Sequence, residues 1–212
     1  MVTPLPRRLS GPTAPQRSGE PVVPLARVGS DDAALVEGLR AERPQAIAEL
    51  FDRFDGIVRT MLIRTLGSAR DVEDLAQETF LIVIRRISTL RDSAALSSFV
   101  IGVAIRVARN ELRKRSLRRW VGLDDVEPES TEQDPVVRES VARVYRALDR
   151  MDASSRVVFV LRHVEGLELT ELAAAMNVSL ATVKRRLARA ERRFEAIAGQ
   201  DPLLRAYIGG ES

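Results

Sequence analysis

The chain has 212 residues, no cysteine and a single histidine, which excludes disulfides, thiolate metal sites and thiol redox switches and leaves no basis for a protein zinc site. Charged residues make up 30% and aromatics only 4%, a composition suited to modest aliphatic cores in helical bundles, and the length suffices for two small domains. Net charge is only +3 although the sequence pI is about 9.9, because the charges are segregated; no run is long enough to span a bilayer and no apolar signal-peptide core follows the start, so a soluble, cytoplasmic chain without direct membrane insertion is expected.

Residues 1–29 carry Pro4, Pro6, Pro12, Pro15, Pro21 and Pro24 with Arg7, Arg8, Arg17 and Arg27 between them. Without apolar periodicity the segment cannot offset its ordering entropy, and it reads as a disordered extension that is either simply solvated or in contact with nucleic acid. A first domain, residues 30–120, opens where Ser30 or Asp31 can cap a short helix carrying Leu35, Val36 and Leu39. Pro44 suits the first turn of the next helix, whose Ile47, Leu50, Phe51, Phe54, Ile57, Val58, Met61, Leu62 and Leu66 recur at three and four until Gly67 stops it.

From Asp71 a helix begins with Asp71, Glu73 and Asp74 at its N-terminus, where negative charge suits the helix dipole. Val72, Leu75, Thr79, Ile82, Val83, Ile87 and Leu90 form one stripe, which suffices for a core. Phe80, Leu81 and Ile84 lie off that stripe, beside Asp74, Gln77 and Glu78. A helix apolar on two sides is either deeply buried or has a partner, and the acids favour an amphipathic docking face. Residues 91–98 read as a loop. The helix after it is apolar first and basic later: Arg106, Arg109, Arg113, Lys114, Arg115, Arg118 and Arg119 meet only Glu111 as an opposing charge, and Arg106, Arg109, Asn110 and Arg113 share a face. That is an electrostatic footprint for a polyanion, the alternative being a solvated helix end with cations favoured near its C-terminus. Trp120 is suited either to stacking on a base or to capping the edge of the domain.

Residues 121–134 contain Asp124, Asp125, Glu127, Glu129, Glu132 and Asp134 with Pro128, the composition of a flexible acidic linker that cancels most of the helical cationic excess. A second domain, residues 135–198, begins at Pro135. Val137, Val141, Val144, Tyr145 and Leu148 mark one helix; Asp152 can cap another carrying Val157, Val158, Val160, Leu161 and Val164, and Gly166 ends it. The lone His163 suits packing or surface better than metal ligation.

Next, LELTELAAAMNVSLATVKRRLARAERRF, residues 167–194, reads as two helices and a tight turn. Leu169, Leu172, Ala173 and Met176 space the first helix, and Ala173, Ala174 and Ala175 would let another helix approach closely. Asn177 tolerates the left-handed conformation of the turn, and Ser179 is a good N-cap. Val183, Leu187, Ala190, Phe194 and Ile197 form the apolar seam of the second helix, with Thr182, Arg185, Arg186, Arg189 and Arg193 beside it. A cationic face next to an apolar seam, on the second helix of such a pair, is what insertion into a DNA major groove requires, and arginine can pair bidentately with phosphate or guanine. Residues 199–212 form a short tail.

No glycine-rich phosphate loop or nucleophile elbow is present, no catalytic residue is assigned, and no metal, cofactor or small-molecule substrate is expected. The carboxylates Asp71, Glu73, Asp74 and Glu78 could in principle hold magnesium, but their place at a helix start beside exposed apolar residues fits docking better.

The order of these features over residues 31–198 resembles the sigma-70 family of bacterial RNA polymerase sigma factors, of the extracytoplasmic-function (ECF) type. DVEDLAQETFLIVIRR resembles the family's polymerase-docking helix, FVIGVAIRVARNELRKR the helix that engages the −10 element, and LRHVEGLELTELAAAMNVSLATVKRRLARAERRF the −35-reading helix-turn-helix. The resemblance implies an all-α fold of two helical domains and a transcription initiation factor that brings core RNA polymerase to promoter DNA. It implies docking of Asp74, Gln77, Glu78, Phe80 and Leu81 on the β′ clamp helices, with the β subunit also a partner. It implies −10 contacts by Arg106, Arg109, Asn110 and Arg113, with the 91–98 loop near a flipped base. It implies −35 contacts by Ser179, Thr182, Lys184, Arg185, Arg186 and Arg189, and an anti-sigma factor as a further partner. Ile84 stands where many members carry tryptophan, Phe99 is the only aromatic early in the next helix, and Asn177 replaces the usual turn glycine. The rival reading is a helix-turn-helix regulator acting without polymerase.

Overall fold

A computed structural model describes residues 32–121 and 135–208; the proline-rich extension, the caps expected from Ser30 and Asp31, and the acidic linker lie outside the described residues. The described residues are helical: α1 (Asp32–Arg40), α2 (Pro44–Leu66), α3 (Val72–Arg86), α4 (Leu96–Trp120), α5 (Pro135–Asp149), α6 (Ala153–His163), α7 (Leu169–Met176), α8 (Leu180–Ala198) and α9 (Pro202–Ile208). No helix among them is long and apolar enough to cross a membrane.

The local stops and starts follow the chemistry of the residues that make them. Pro44 occupies the first turn of α2, where its missing N–H is no loss. Gly67 closes α2 with φ 73°, and its N–H donates to the Ile63 carbonyl. Asp152 caps α6, accepting from the N–H groups of Ser154 and Ser155. Burial works against the charged form of Asp152, but the Ser155 and Ser154 hydrogen bonds and the nearby Arg189 outweigh it and hold its pKa below the usual value. The segment read as a loop, residues 91–98, is shorter than expected. Asp92 accepts from the Ala94 N–H, a 3-10 turn spans Ser93–Ala95, and α4 already begins at Leu96, which is fully buried. The tail also holds more structure than expected: Asp201 accepts from the Leu203 and Leu204 N–H groups, Pro202 opens α9, and Leu204 is buried in the second core.

In α2 the apolar stripe read from the sequence does face the interior: its Leu50, Phe54, Val58 and Leu62 meet Val100, Ala104 and Ala108 of α4 in one cluster. Phe80 of α3 belongs to it as well. Its ring is 0% exposed and lies 4.3 Å, centroid to centroid, from that of Phe51. The expectation that Phe80 faces a partner is therefore corrected. The off-stripe side of α3 is narrower than it seemed because the interhelical space reaches around to Phe80 and half-buries Ile84, leaving only Leu81 exposed.

The two sequence domains do not stand apart. Val157 and Leu161 of α6, Leu172 and Ala175 of α7 and Val183 of α8 join the same apolar core as α2 and α4. A second, smaller core of Leu148, Phe159, Val160, Ala190, Ile197 and Leu204 ties α5, α6, α8 and α9 together. Between the halves Arg156, 1% exposed, donates from Nε to the Thr65 carbonyl at 2.8 Å and pairs with Asp149. Desolvation disfavours its charged form, and Asp149 opposes that.

The placement of neighbours on α3 makes a direct test. Phe80→Ala is expected to cost about 3–5 kcal/mol through the cavity it leaves, and Leu81→Ala less than about 0.5 kcal/mol, measured as free energies of unfolding in urea.

Candidate nucleic-acid interface

The helix-turn-helix forms as its residues require. The Glu168 N–H donates to Glu171 Oε2 at 2.7 Å and anchors the start of α7, and Asn177 takes the left-handed turn conformation, φ 51°. Ser179 Oγ accepts from the Thr182 N–H at 3.2 Å and lies 2.9 Å from Thr182 Oγ1, which sets the first turn of α8. The seam residues Val183, Leu187, Ala190 and Ile197 are buried, and Phe194 stacks on Phe159 with centroids 4.4 Å apart. With that seam held, Ser179, Lys184, Arg185 and Arg189 stand exposed on the outer side and Thr182 and Arg186 are half-buried. Leu180, 38% exposed in the same first turn, was not singled out from the sequence. The signal was its position, since N-terminal residues of such a helix reach base edges and an apolar side chain can meet a thymine methyl.

On α4, Arg106, Asn110 and Arg113 are exposed and Arg109 is half-buried. The basic end of this helix is less uniformly available than its sequence suggested. Glu111 is buried and accepts from Arg115 Nε at 3.0 Å and from Arg118 at 3.1 Å; Arg115, itself buried, also approaches Asp71 at 3.7 Å. These two cations are committed to the fold. Arg109 differs: its Nε is buried with no hydrogen-bond partner among the described residues. Burial and the neighbouring charges of Arg113, Arg106 and Arg186 all disfavour its cationic form. Arg106, Arg109 and Arg113 come from α4 and Arg186 from α8, so the two basic faces lie within electrostatic reach of each other. An anion placed there would relieve the repulsion. Trp120, 83% exposed, caps nothing among the described residues and leaves its ring available for stacking.

The third surface is on α3. Asp74, Gln77, Glu78 and Leu81 are exposed together, Leu81 to 52%. Glu73, at the edge of this group, is paired with Arg59 and accepts from Gln77 Nε2 at 3.4 Å, and these hydrogen bonds, Arg59 first, lower its pKa to about 2. His163 keeps the role expected of it: its ring packs 4.6 Å from that of Phe159, and Nε2 lies 3.1 Å from Glu191 Oε1.

Comparison with known proteins places these surfaces in context. Residues 50–118 match the family described as Sigma-70 region 2, and residues 142–194 the family described as Sigma-70, region 4. The chain is 32% identical over 148 residues to the ferric citrate uptake sigma factor FecI of Escherichia coli, covering 66% of this chain and 84% of that protein. It is 27% identical over 168 residues to the ECF RNA polymerase sigma factor SigM of Mycobacterium tuberculosis, covering 79% of this chain and 85% of the relative. Among solved structures, CnrH in complex with the cytosolic domain of CnrY is similar in fold, with a TM-score of 0.55 at 23% identity, over 80% of this chain and 98% of that one.

Because Arg109 is crowded by like charges, Arg109→Met is expected to raise the melting temperature while weakening DNA binding. The slope of log affinity against log salt should flatten by about 0.9, the loss of one phosphate contact. Thermal unfolding and a salt titration of duplex binding measure the two effects.

Proposed function

Since the chain belongs to the sigma-70 family, as an RNA polymerase sigma factor of the extracytoplasmic-function type, we propose that its three exposed surfaces divide the work of initiation. The protein is a transcription initiation factor: it binds core RNA polymerase and directs it to promoters carrying −10 and −35 elements. Relatives of this kind are initiation factors rather than enzymes. The action assigned to the chain is recognition without catalysis, carried out in the cytoplasm where polymerase and DNA meet.

In this reading Asp74, Gln77, Glu78 and Leu81 dock on the β′ clamp helices of polymerase, with further contact to the β subunit. Phe80 supports that face from beneath and does not touch the partner. Arg106, Arg109, Asn110 and Arg113 hold the −10 region, where strand opening calls for cations along the backbone and a site for an extruded base. The exposed edge of the 91–98 segment, Arg91, Asp92 and Ala94, is near enough in sequence to α4 to supply polar groups to that base; the buried Leu96 and Ser97 are not. Ser179, Thr182, Arg185, Arg186 and Arg189 read the −35 duplex and Lys184 holds phosphate.

The observation that carries the reading is the presence, in one chain, of two basic helical faces on α4 and α8 and a separate acidic-apolar face on α3. A regulator that acts on duplex alone needs the α8 face but has no use for the α3 face. A protein inhibitor that covers these surfaces belongs to the same proposal; CnrH, similar in fold, is found in complex with the cytosolic domain of CnrY.

Gln77→Ala with Leu81→Ala is expected to abolish retention of the protein on core polymerase while leaving its circular dichroism and melting unchanged. Undiminished retention would remove α3 from the docking role. Arg185→Ala is expected to weaken −35 duplex binding by about 1–3 kcal/mol, with relaxed preference at one base pair. An equal loss on every sequence would make Arg185 a phosphate contact.

A further inference from the structure

The cationic face of α4 does not end in a cation. Arg106, Arg113 and Trp120 follow one another at intervals of seven positions. That is about two turns of the helix, so each side chain is turned only about 20° from the last. Arg109, eleven positions before Trp120, falls on the same face about three turns back. The Trp120 ring is 83% exposed, with Leu117 and Val121 exposed beside it. A large ring left in water contributes no burial to the fold.

The helix end that carries this ring is braced from behind. Leu112 is the last apolar residue of α4 in the core, yet the helix runs on to Trp120. Arg115 donates to the Arg70 carbonyl at 3.4 Å and approaches Asp71 at 3.7 Å, both at the start of α3. Arg118 donates to the buried Glu111 at 3.1 Å. At about 100° per residue, positions 115 and 118 lie on the far side of the helix from Trp120. The bracing contacts therefore leave the tryptophan face clear.

Among the side chains the structure describes, no phenylalanine or tyrosine is available in this way. Phe54, Phe80 and Phe159 are buried; Phe51 packs on Phe80 and Phe194 on Phe159. Tyr145 is half-buried, its hydroxyl donating to the Arg64 carbonyl at 3.0 Å. Phe99, early in α4, is half-buried against the core. It stands twenty-one positions before Trp120, about 31 Å along the axis at ~1.5 Å per residue. The start of α4 thus has a half-covered ring, and its end has an open one.

A row of cations follows a phosphate backbone, and an exposed aromatic ring in line with it gives bases a surface to stack on; proteins that hold single-stranded nucleic acid combine the two. In a closed duplex the bases stack on each other and present only their edges in the grooves. A ring at the end of the stripe therefore finds a partner only where the strands have parted. The nearest charge on its own face, the exposed Arg113, gives the patch the sign that suits a nucleic acid. We infer that Trp120 is the platform on which one unpaired DNA base stacks, at the end of the phosphate-holding stripe of Arg106, Arg109 and Arg113. The inference rests on the assignment of α4 to the −10 region proposed above and adds to it the group that receives a base there.

Trp120 is the chain's single tryptophan, so its fluorescence reports on this site alone. On the full chain without polymerase, a short single strand of DNA should quench that fluorescence. Heparin, a polyanion without bases, should leave it unchanged; equal responses to the two overturn the inference. In the holoenzyme the probe is a template that is duplex through the −35 element and single-stranded across the −10 element, taken from a promoter that the wild type transcribes. Trp120→Ala should weaken its binding about five- to a hundredfold, the loss of one stacked base. Trp120→Phe should recover most of that affinity and Trp120→Leu should not. Removing bases one at a time from the single strand should reveal one position that matters to the wild type and no longer matters to Trp120→Ala. The absence of such a position, a Trp120→Leu variant as tight as wild type, or an equal loss on a fully duplex −35 probe overturns the inference. Run-off transcription separates the two readings. Quenching by single strand without transcription counts against the promoter-directing function, whereas transcription with no base position lost counts against the platform alone.

Discussion

The approach of α7 to α4, backbone against backbone at Gly102 and Ala175, is the constraint around which the molecule is arranged. It decides that Val157, Leu161, Leu172 and Val183 share a core with Leu62, Val100 and Ala104 instead of forming a separate one. It brings Arg156 under the end of α2, where its guanidinium loses water and gains the Thr65 carbonyl, Asp149 and the face of the Tyr145 ring. It also sets the second helix of the helix-turn-helix beside the basic face of α4. Local packing and the placing of DNA-binding charge are here one geometric fact.

Charge is allotted by position more than by amount. Glu111 consumes Arg115 and Arg118 inside the fold, and Arg59 consumes Glu73. What is left on the outside is sorted by sign: acids with Leu81 on α3, arginines on α4 and α8. A net charge of +3 conceals this sorting. Exposed charges of one sign gathered on a face add little to folding stability and set the sign of the surface that a partner would meet. The half-buried Arg109 is held among like charges, an unfavourable arrangement that a neighbouring anion would relieve.

Two side chains show why neighbours matter more than stripes. Phe80 and Leu81 are adjacent, both apolar and both off the main stripe of α3, yet one is sealed against Phe51 and the other is half in water. Helical spacing separates faces by about 100° per residue, but how much of a helix's circumference is covered depends on how many helices pack around it. Similarly, Ala173, Ala174 and Ala175 announced a close helical approach without saying which helix would make it. The partner at Ala175 is α4, about seventy residues earlier in the chain by number.

Much of the architecture was legible in the sequence because it rests on short-range physics. Pro44, Gly67, Asp152, Asn177 and Ser179 act through their own backbone or the next few residues, and helical periodicity follows from 3.6 residues per turn wherever the segment sits. The all-α class, the helix-turn-helix and its cationic face could therefore be read directly. The burial of Phe80, the capture of Arg115 and Arg118 by Glu111, the helix in the tail and the docking of one half on the other could not. Each depends on which surfaces meet across long sequence separations, where many pairings satisfy the same apolar pattern and only three-dimensional packing selects among them.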